Sequence, residues 1–192
     1  MLAELVLKNR SNRRFNGKIK VPAKTVEKLI GLARLCPSGR NQQALKFMPI
    51  TKPDDCDQLF PFLAWAGYLK EWDGPVKNEQ PTAYIIILGD TLLGAKFEID
   101  LGICAQTILL GAIENNFGGC MIGSIRREEV RSLFQIPGHL EILLVIALGK
   151  PVERVVVEEV KDGNIRYWRD LEQTHHVPKR AMDEILIFPK VS

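Results

Sequence analysis

Between about Lys96 and Asn116 the sequence predicts a helix that is apolar almost all round. Asp100 and Gln106 interrupt the run and Glu114 stands near its end. A surface helix keeps one polar face, so a helix without one has to be covered on several sides. At 192 residues the chain can form one domain with a real core, but it has few other elements with which to surround a central helix. Part of the cover is therefore expected from a second copy of the chain. The charges within and beside the run rule it out as a membrane span.

The remaining elements follow from periodicity. Leu2, Leu5 and Val6 predict a short first helix ending near Asn9. Val26, Leu29, Ile30 and Ala33 predict a second, with Pro22 in its first turn and its end before Pro37. Lys46 to Ile50 reads as a strand whose Pro49 suits a sheet edge. Pro53 to Leu63 reads as a helix and Trp65 to Pro81 as an irregular stretch. Tyr84 to Leu88 has the unbroken apolar character of a strand buried on both faces. Gly118-Gly119 is expected to stop the long helix. Arg127 to Phe134 is a short amphipathic helix, and Glu141 to Leu148 a second core strand. Val155 to Val157 and Ile165 to Trp168 flank Asp162-Gly163, which signals a hairpin turn. The tail from Val177 to Phe188 reads as a short helix or an extended arm. Strands and helices mix without a regular βαβ rhythm, so the class is α+β. No repeat or linker divides residues 1–192, which are expected to form a single domain.

Several function classes are disfavoured. The net charge is +3 and no basic arm is present, which argues against nucleic acid as a partner. Cys36, Cys56, Cys104 and Cys120 are widely spaced without a Cys-x-x-Cys, and only three histidines accompany them, so no metal site is expected. His175-His176 reads as a solvated pair. The N-terminus lacks the basic start and apolar stretch of a signal peptide, so a cytoplasmic protein with free thiols is expected, without membrane attachment. The sequence contains no Gly-x-Gly-x-x-Gly after a strand, no P-loop, no His-Glu-x-x-His and no Gly-x-Ser-x-Gly.

Four segments could carry chemistry, one of them Lys179-Arg180 in the tail, which reads as a second phosphate clamp or as a surface pair of charges. Arg10-Ser11-Asn12-Arg13-Arg14-Phe15 combines guanidinium groups with a hydroxyl, which suits a phosphate monoester. The same run also reads as a basic helix end favoured by the C-terminal dipole. Cys36-Pro37-Ser38-Gly39-Arg40-Asn41-Gln42-Gln43 is a helix-ending loop. Its amide side chains exceed what a turn needs, and they match the pyrimidine edge of a flavin or the hydroxyls of a ribityl chain. In Phe117 to Ser124 the glycines let backbone approach a flat ligand closely, although a helix stop followed by a strand explains them equally well. Cys120 has no histidine near it in sequence and is a poor candidate for a nucleophile.

Taken in order, these segments resemble the nitroreductase family of FMN-dependent oxidoreductases. Arg10 to Phe15 is similar to that family's Arg-Arg-Ser-x-Arg-x-Phe segment, and Cys36 to Gln43 to its Ala-Pro-Ser-x-x-Asn-x-Gln loop. Phe97 to Gln106 resembles its central helix, Gly118 to Gly123 its Gly-x-Gly-x-Cys-x-x-Gly segment, and Ala147 to Pro151 its strand ending in Gly-x-Pro. The resemblance implies a two-layer α+β fold with a central, mostly antiparallel sheet flanked by helices. It also implies an intertwined homodimer with two FMN sites at the subunit interface. Carried over, Arg10 and Ser11 would meet the phosphate and ribityl end, and Arg13 the N1/C2 edge of the ring. Pro37, Ser38, Gly39, Asn41 and Gln43 would come from the other subunit. A backbone N–H near Ile122 would face the flavin N5, with Gly123 keeping that approach open, and Lys179 or Arg180 would complete the phosphate site. The activity implied is ping-pong transfer of a hydride from NADH or NADPH through FMN to a nitroaromatic, quinone or similar acceptor, with no side-chain acid required. A flavin-binding storage or sensing protein is the alternative. Trp65, Tyr68 and Trp72 are candidates to line the acceptor pocket, or equally to pack the core. The chain departs from the family pattern at Asn9, where an arginine is usual, at Ala44-Leu45, where Pro-Trp is usual, and in its short middle stretch.

Overall fold

The structure, a computed structural model, describes residues 1–189. The chain divides into two compact units, Met1–Trp65 with Asp73–Val152, and Ala66–Trp72 with the segment from Glu153 onward.

The first unit is built on a four-stranded antiparallel sheet of β1 (Leu45–Ile50), β2 (Ala83–Asp90), β3 (Gly118–Ile122) and β4 (Leu140–Gly149), in the order β1-β2-β4-β3. Pro49 stands on an edge strand, as its missing N–H requires, since β1 pairs only with β2. All eight residues of β2 are buried, as expected of a central strand with both faces covered. Its ladder with β4 runs from Ala83 opposite Leu148 to Asp90 opposite Leu140, with a register shift between Ile87 and Leu88.

Helices α1 (Leu2–Lys8), α2 (Ala23–Arg34), α3 (Pro53–Leu59), α4 (Glu98–Glu114) and α5 (Arg127–Phe134) accompany this sheet. Helices α2 and α4 cover one face, where Val26 and Leu29 join Ile108 and Ala112 against Ile85, Ile87, Ile146 and Leu148. Ile108 and Ile146 are fully buried, and truncating either to alanine would cost about 2–5 kcal/mol. Part of α4 is nevertheless left open, with Ile99 at 79% exposure and Gly102 and Gln106 also exposed. No helix among the described residues is long and apolar enough to cross a membrane.

One expectation about this unit is corrected. Helix α4 ends at Glu114, and Asn116 takes the left-handed turn with φ 62°. Gly118 and Gly119 are strand residues, and their lack of a side chain serves packing. A Cβ on Gly118 would lie 2.7 Å from Asn12 Oδ1 and from Pro151, and one on Gly119 would run into the Ala147 carbonyl.

In the second unit β5 (Val155–Glu159), β6 (Trp168–Arg169) and β7 (His175–Lys179) form a sheet in the order β5-β7-β6, followed by α6 (Met182–Ile185). Asp162 and Gly163 do make a tight turn, with φ 51° and 70°, closed by the Asn164 N–H on the Lys161 carbonyl at 2.9 Å. The expected hairpin does not continue from it. The Asn164 side chain accepts the Arg166 N–H at 3.1 Å and draws that segment out of the ladder, while β5 pairs in parallel with β7. Trp168 stacks on His176 at 4.0 Å and 9°, and the Arg169 guanidinium lies over Trp72 at 4.3 Å and pairs with Glu153 at 3.2 Å.

Candidate functional site

The loop after α2 is shaped by one carboxylate. Ser38 Oγ donates to Asp100 Oδ2 at 2.6 Å and the Gly39 N–H donates to Asp100 Oδ1 at 3.0 Å. The Gln43 N–H in turn donates to Ser38 Oγ at 2.9 Å, which closes the loop on itself. Arg40, Asn41 and Gln43 all hold left-handed backbone, with φ of 53°, 55° and 52°. That conformation costs a non-glycine residue roughly 1–2 kcal/mol and persists only where surrounding bonds enforce it, as at binding sites. Pro37, Gly39, Asn41 and Gln43 are exposed and Ser38 is partly so. A cavity of about 420 Å³ opens beside the loop, between α2, β1 and the start of α4, with Ile30, Cys36, Ser38, Gln43, Phe47 and Asp100 among its lining.

The basic turn is pinned at its far end. Phe15 is fully buried and fills the space beside Gly149, and its N–H donates to the Glu79 carbonyl at 2.9 Å. Arg14 grips the Glu79 carboxylate with two bonds of 2.6 and 2.8 Å. Asn12 is buried, and its N–H donates to the Gly119 carbonyl at 3.0 Å beside a parallel bridge from Ser11 to Gly119. These anchors leave Ser11 exposed and Arg13 partly so, with Arg13 Nη1 donating to the Ser11 carbonyl at 3.2 Å. Arg10 turns back on α1, donating to the Val6 carbonyl at 2.7 Å and the Asn9 carbonyl at 2.6 Å, the behaviour of a cation at a helix C-terminus.

At the end of β3, Ile122 is buried and Gly123 is exposed, with nothing within 4 Å of where its Cβ would stand. The backbone is therefore open to a flat ligand at that point.

The loop and the basic turn stand on different sides of α4. The loop contacts the helix at Asp100, whereas a Cβ on Gly119, beside Ser11, would stand 3.1 Å from Leu109. Nine residues separate these contacts, which at about 100° and 1.5 Å per residue means opposite faces and roughly 13 Å along the axis. Within one chain the helix lies between the two halves of the candidate site.

The sequence profile described as the nitroreductase family matches residues 6–150. The chain belongs to the nitroreductase family. That membership makes it an oxidoreductase of a flavin-dependent family. A relative from Methanothermobacter thermautotrophicus, named for NADH dehydrogenase/NAD(P)H nitroreductase, is 24% identical over 165 residues, covering 83% of this chain and 82% of its own. A nitroreductase family protein of Clostridium difficile 630 matches in structure with a TM-score of 0.70 at 19% identity, over 98% of both chains. An FMN-dependent nitroreductase from Clostridium difficile R20291 matches with a TM-score of 0.65 at 21% identity, over 85% of this chain and 92% of its own. These structural likenesses show the nitroreductase fold, with its central antiparallel sheet and flanking helices.

Lys179 and Arg180 belong to the second unit. Lys179 ends β7, and Arg180 is paired with Glu184 at 2.9 Å. Tyr68 packs on Tyr167 at 4.8 Å and Trp65 stacks on Phe60 at 5.6 Å, so these rings are used in packing. Sequence reading missed Asp100 and Glu79 as the anchors of the two loops. An acid in the first turn of an otherwise apolar helix was the available signal for Asp100. Nothing local marks Glu79. Among the described residues no group of three metal-ligating side chains comes together.

Proposed function

We propose that this nitroreductase-family protein is an FMN-dependent oxidoreductase. It passes reducing equivalents from NADH or NADPH to a nitroaromatic, quinone or similar acceptor in a ping-pong cycle, and each flavin site is assembled from two copies of the chain. The observation that carries the two-copy arrangement is the placement of the loop and the basic turn on opposite sides of α4, since one copy alone holds them apart.

The residues present fit the cofactor. Ser11 is presented on a turn whose backbone is held from both ends, and Arg13 beside it supplies positive charge for a phosphate or an electron-rich ring edge. Asn41 and Gln43 sit on strained, exposed backbone with amide groups that both donate and accept. The backbone at Gly123 borders open space, with nothing within 4 Å of where a Cβ would stand, so a flat ring can approach it. When bound, FMN supplies the hydride-carrying chemistry, which is why no catalytic acid or triad is needed. The protein's part is to hold the cofactor, with Pro37, Ser38, Gly39, Asn41 and Gln43 of one copy against it and, from the other, Arg10 and Ser11 at the phosphate and ribityl end and Arg13 at the ring edge. It also leaves the Ile122–Gly123 edge accessible.

The visible spectrum of the purified protein, taken before and after NADH or NADPH without oxygen, tests this reading. Flavin bands that bleach with either nucleotide, and return when a quinone is added, are expected. A protein that stays colourless after incubation with FMN would overturn the cofactor assignment. Bands that persist with both nucleotides would favour a storage or sensing protein.

A further inference from the structure

Asp100, Cys104 and Thr107 follow one another at i, i+4 and i+7 spacing, so they share one face of α4. That face meets the end of α2 and the start of the loop. Asp100 holds Ser38 and Gly39, and two residues upstream Cys36 Sγ lies 3.2 Å from Thr107 Oγ1 and 3.7 Å from the Leu32 carbonyl. The Cys104 thiol donates to the Ala33 carbonyl at 3.5 Å and so points to the same corner. Burial, then the neighbouring Cys36, push the Cys104 thiol up to about 12. Both cysteines line the 420 Å³ cavity beside the loop. Cys36 is partly exposed and Cys104 is buried. The other two cysteines, Cys56 on α3 and Cys120 on β3, are buried and do not line this cavity.

One buried and one partly exposed thiol can simply act as small apolar side chains. This pair differs in facing a cavity that admits small molecules, and in holding Cys36 beyond the last helical residue of α2, where the backbone is not locked in a helix. We propose that Cys36 and Cys104 form an oxidisable dithiol, closed to an intramolecular disulfide by hydrogen peroxide entering this cavity.

Because it is the partly exposed sulfur of the pair while Cys104 is buried, Cys36 is the first attacking group. Its thiolate takes one peroxide oxygen; the O–O bond breaks, hydroxide leaves as water after protonation, and Cys36 becomes a sulfenic acid. The Cys104 sulfur then attacks the Cys36 sulfur and the S–O bond breaks. The Cys104 proton leaves with the hydroxide as a second water. Two thiols lose two electrons in total and one peroxide becomes two waters. The product would tie the base of the 38–43 loop to α4 one helical turn from the existing Asp100 tether.

The test treats the purified full-length protein with stoichiometric hydrogen peroxide, alkylates it under denaturing conditions, and maps its peptides without reduction. Two of the four cysteines should become resistant to alkylation, in a single peptide pair joining Cys36 to Cys104 and released by dithiothreitol. Cys36→Ser, a near-isosteric change at a partly exposed position on the rim of the core, should fold normally and keep its three remaining thiols alkylatable. Four thiols still reactive after peroxide would overturn the proposal. So would a link from Cys36 to another cysteine or another chain, or Cys36 oxidised beyond sulfenic acid with Cys104 still alkylatable. The mapping needs no flavin, so a protein that fails to bind FMN would refute the cofactor reading while leaving this test intact.

Discussion

Asp100 is the single residue on which the loop geometry turns, because it accepts from both Ser38 and Gly39 while three nearby residues hold left-handed backbone. Hydrogen bonds to a charged group contribute about 1.5–3 kcal/mol each, less where solvent competes; the bond from Ser38 is partly covered and that from Gly39 is exposed. Asp100→Ala should therefore lower stability by roughly 1–3 kcal/mol in urea unfolding and weaken FMN binding about tenfold or more. An unchanged flavin titration would separate this loop from the cofactor. In the second unit His176 carries a different lesson. Its two ring nitrogens face Glu158 at 3.1 Å and Asp170 at 3.2 Å, so only the doubly protonated ring satisfies both. The hydrogen bond to Asp170, then that to Glu158, raise the His176 pKa above its ordinary 6.5. The bonds from Trp168 and His176 lower the Glu158 carboxyl below 4.5; for Asp170, burial opposes but the bonds from His176 and Thr174 prevail, and it falls below 3.8. A raised cationic pKa adds stability that is fully present below the unfolded value and is lost as pH rises through the folded one. The lowered carboxylates add stability that is lost as pH falls through their own folded values. The three-way contact is thus whole between those limits. An imidazole resonance titrating above 6.5, and moving down in Asp170→Asn, is the expected observation, and a midpoint at or below 6.5 would remove the contact from solution.

At the scale of elements, β3 and the residue after it offer two glycines, Gly119 and Gly123, with opposite demands. A Cβ on Gly119 meets the Ala147 carbonyl, which is backbone in a central strand and cannot yield, with Leu109 and Leu148 at 3.1 Å on either side. Gly119→Ala should cost about 1–3 kcal/mol or more and should loosen the Ser11 turn bonded to it. Gly123, just past the strand's end, has open space around it, so Gly123→Ala should leave the thermal midpoint nearly unchanged, within about 0.5 kcal/mol. Flavin affinity measured on both separates the cases: loss in Gly123→Ala at full stability would mark a close ligand approach, and retention would mean that nothing docks there. This pair also shows where the sequence was readable. Helices α1, α2, α4 and α5 and strands β1, β2 and β4 followed from apolar spacing and lie within a few residues of their expected ends, because burial imposes that spacing directly. The role of Gly118-Gly119 was misjudged because their reason lies in Asn12, Pro151 and Ala147, far along the chain. The missing hairpin is a similar case, since the local turn formed but a distant strand, β7, competed for β5. For the candidate site, the loop and turn were legible as polar segments, while their anchors Asp100 and Glu79 depended on tertiary contacts that no local pattern records.

For the whole molecule, the question is what covers the remaining face of α4. Gly102 sits within this helix, exposed, with nothing within 4 Å of where a Cβ would stand, and Ile99 and Gln106 flank it on the same face. Within a single chain a glycine there is a disadvantage of roughly 0.5–1 kcal/mol relative to a side chain, with no packing reason to offset it. In the proposed two-copy site, close approach of a second copy would supply the reason, and it would be the same copy that brings a basic turn to the loop beyond α4. Gly102→Glu tests both ideas in one variant. Taken alone, the chain should tolerate it and even gain helix stability, so circular dichroism should show an intact fold. A buried, unpaired carboxylate at a dimer contact should instead dissociate the copies and release the cofactor with them. Sedimentation velocity followed in the visible region should show the unaltered protein as a flavin-loaded dimer and the variant as a colourless, folded monomer. A monomer that keeps its flavin would mean that one chain builds the whole site, and the separation of its halves by α4 would then have to be bridged by the ligand itself.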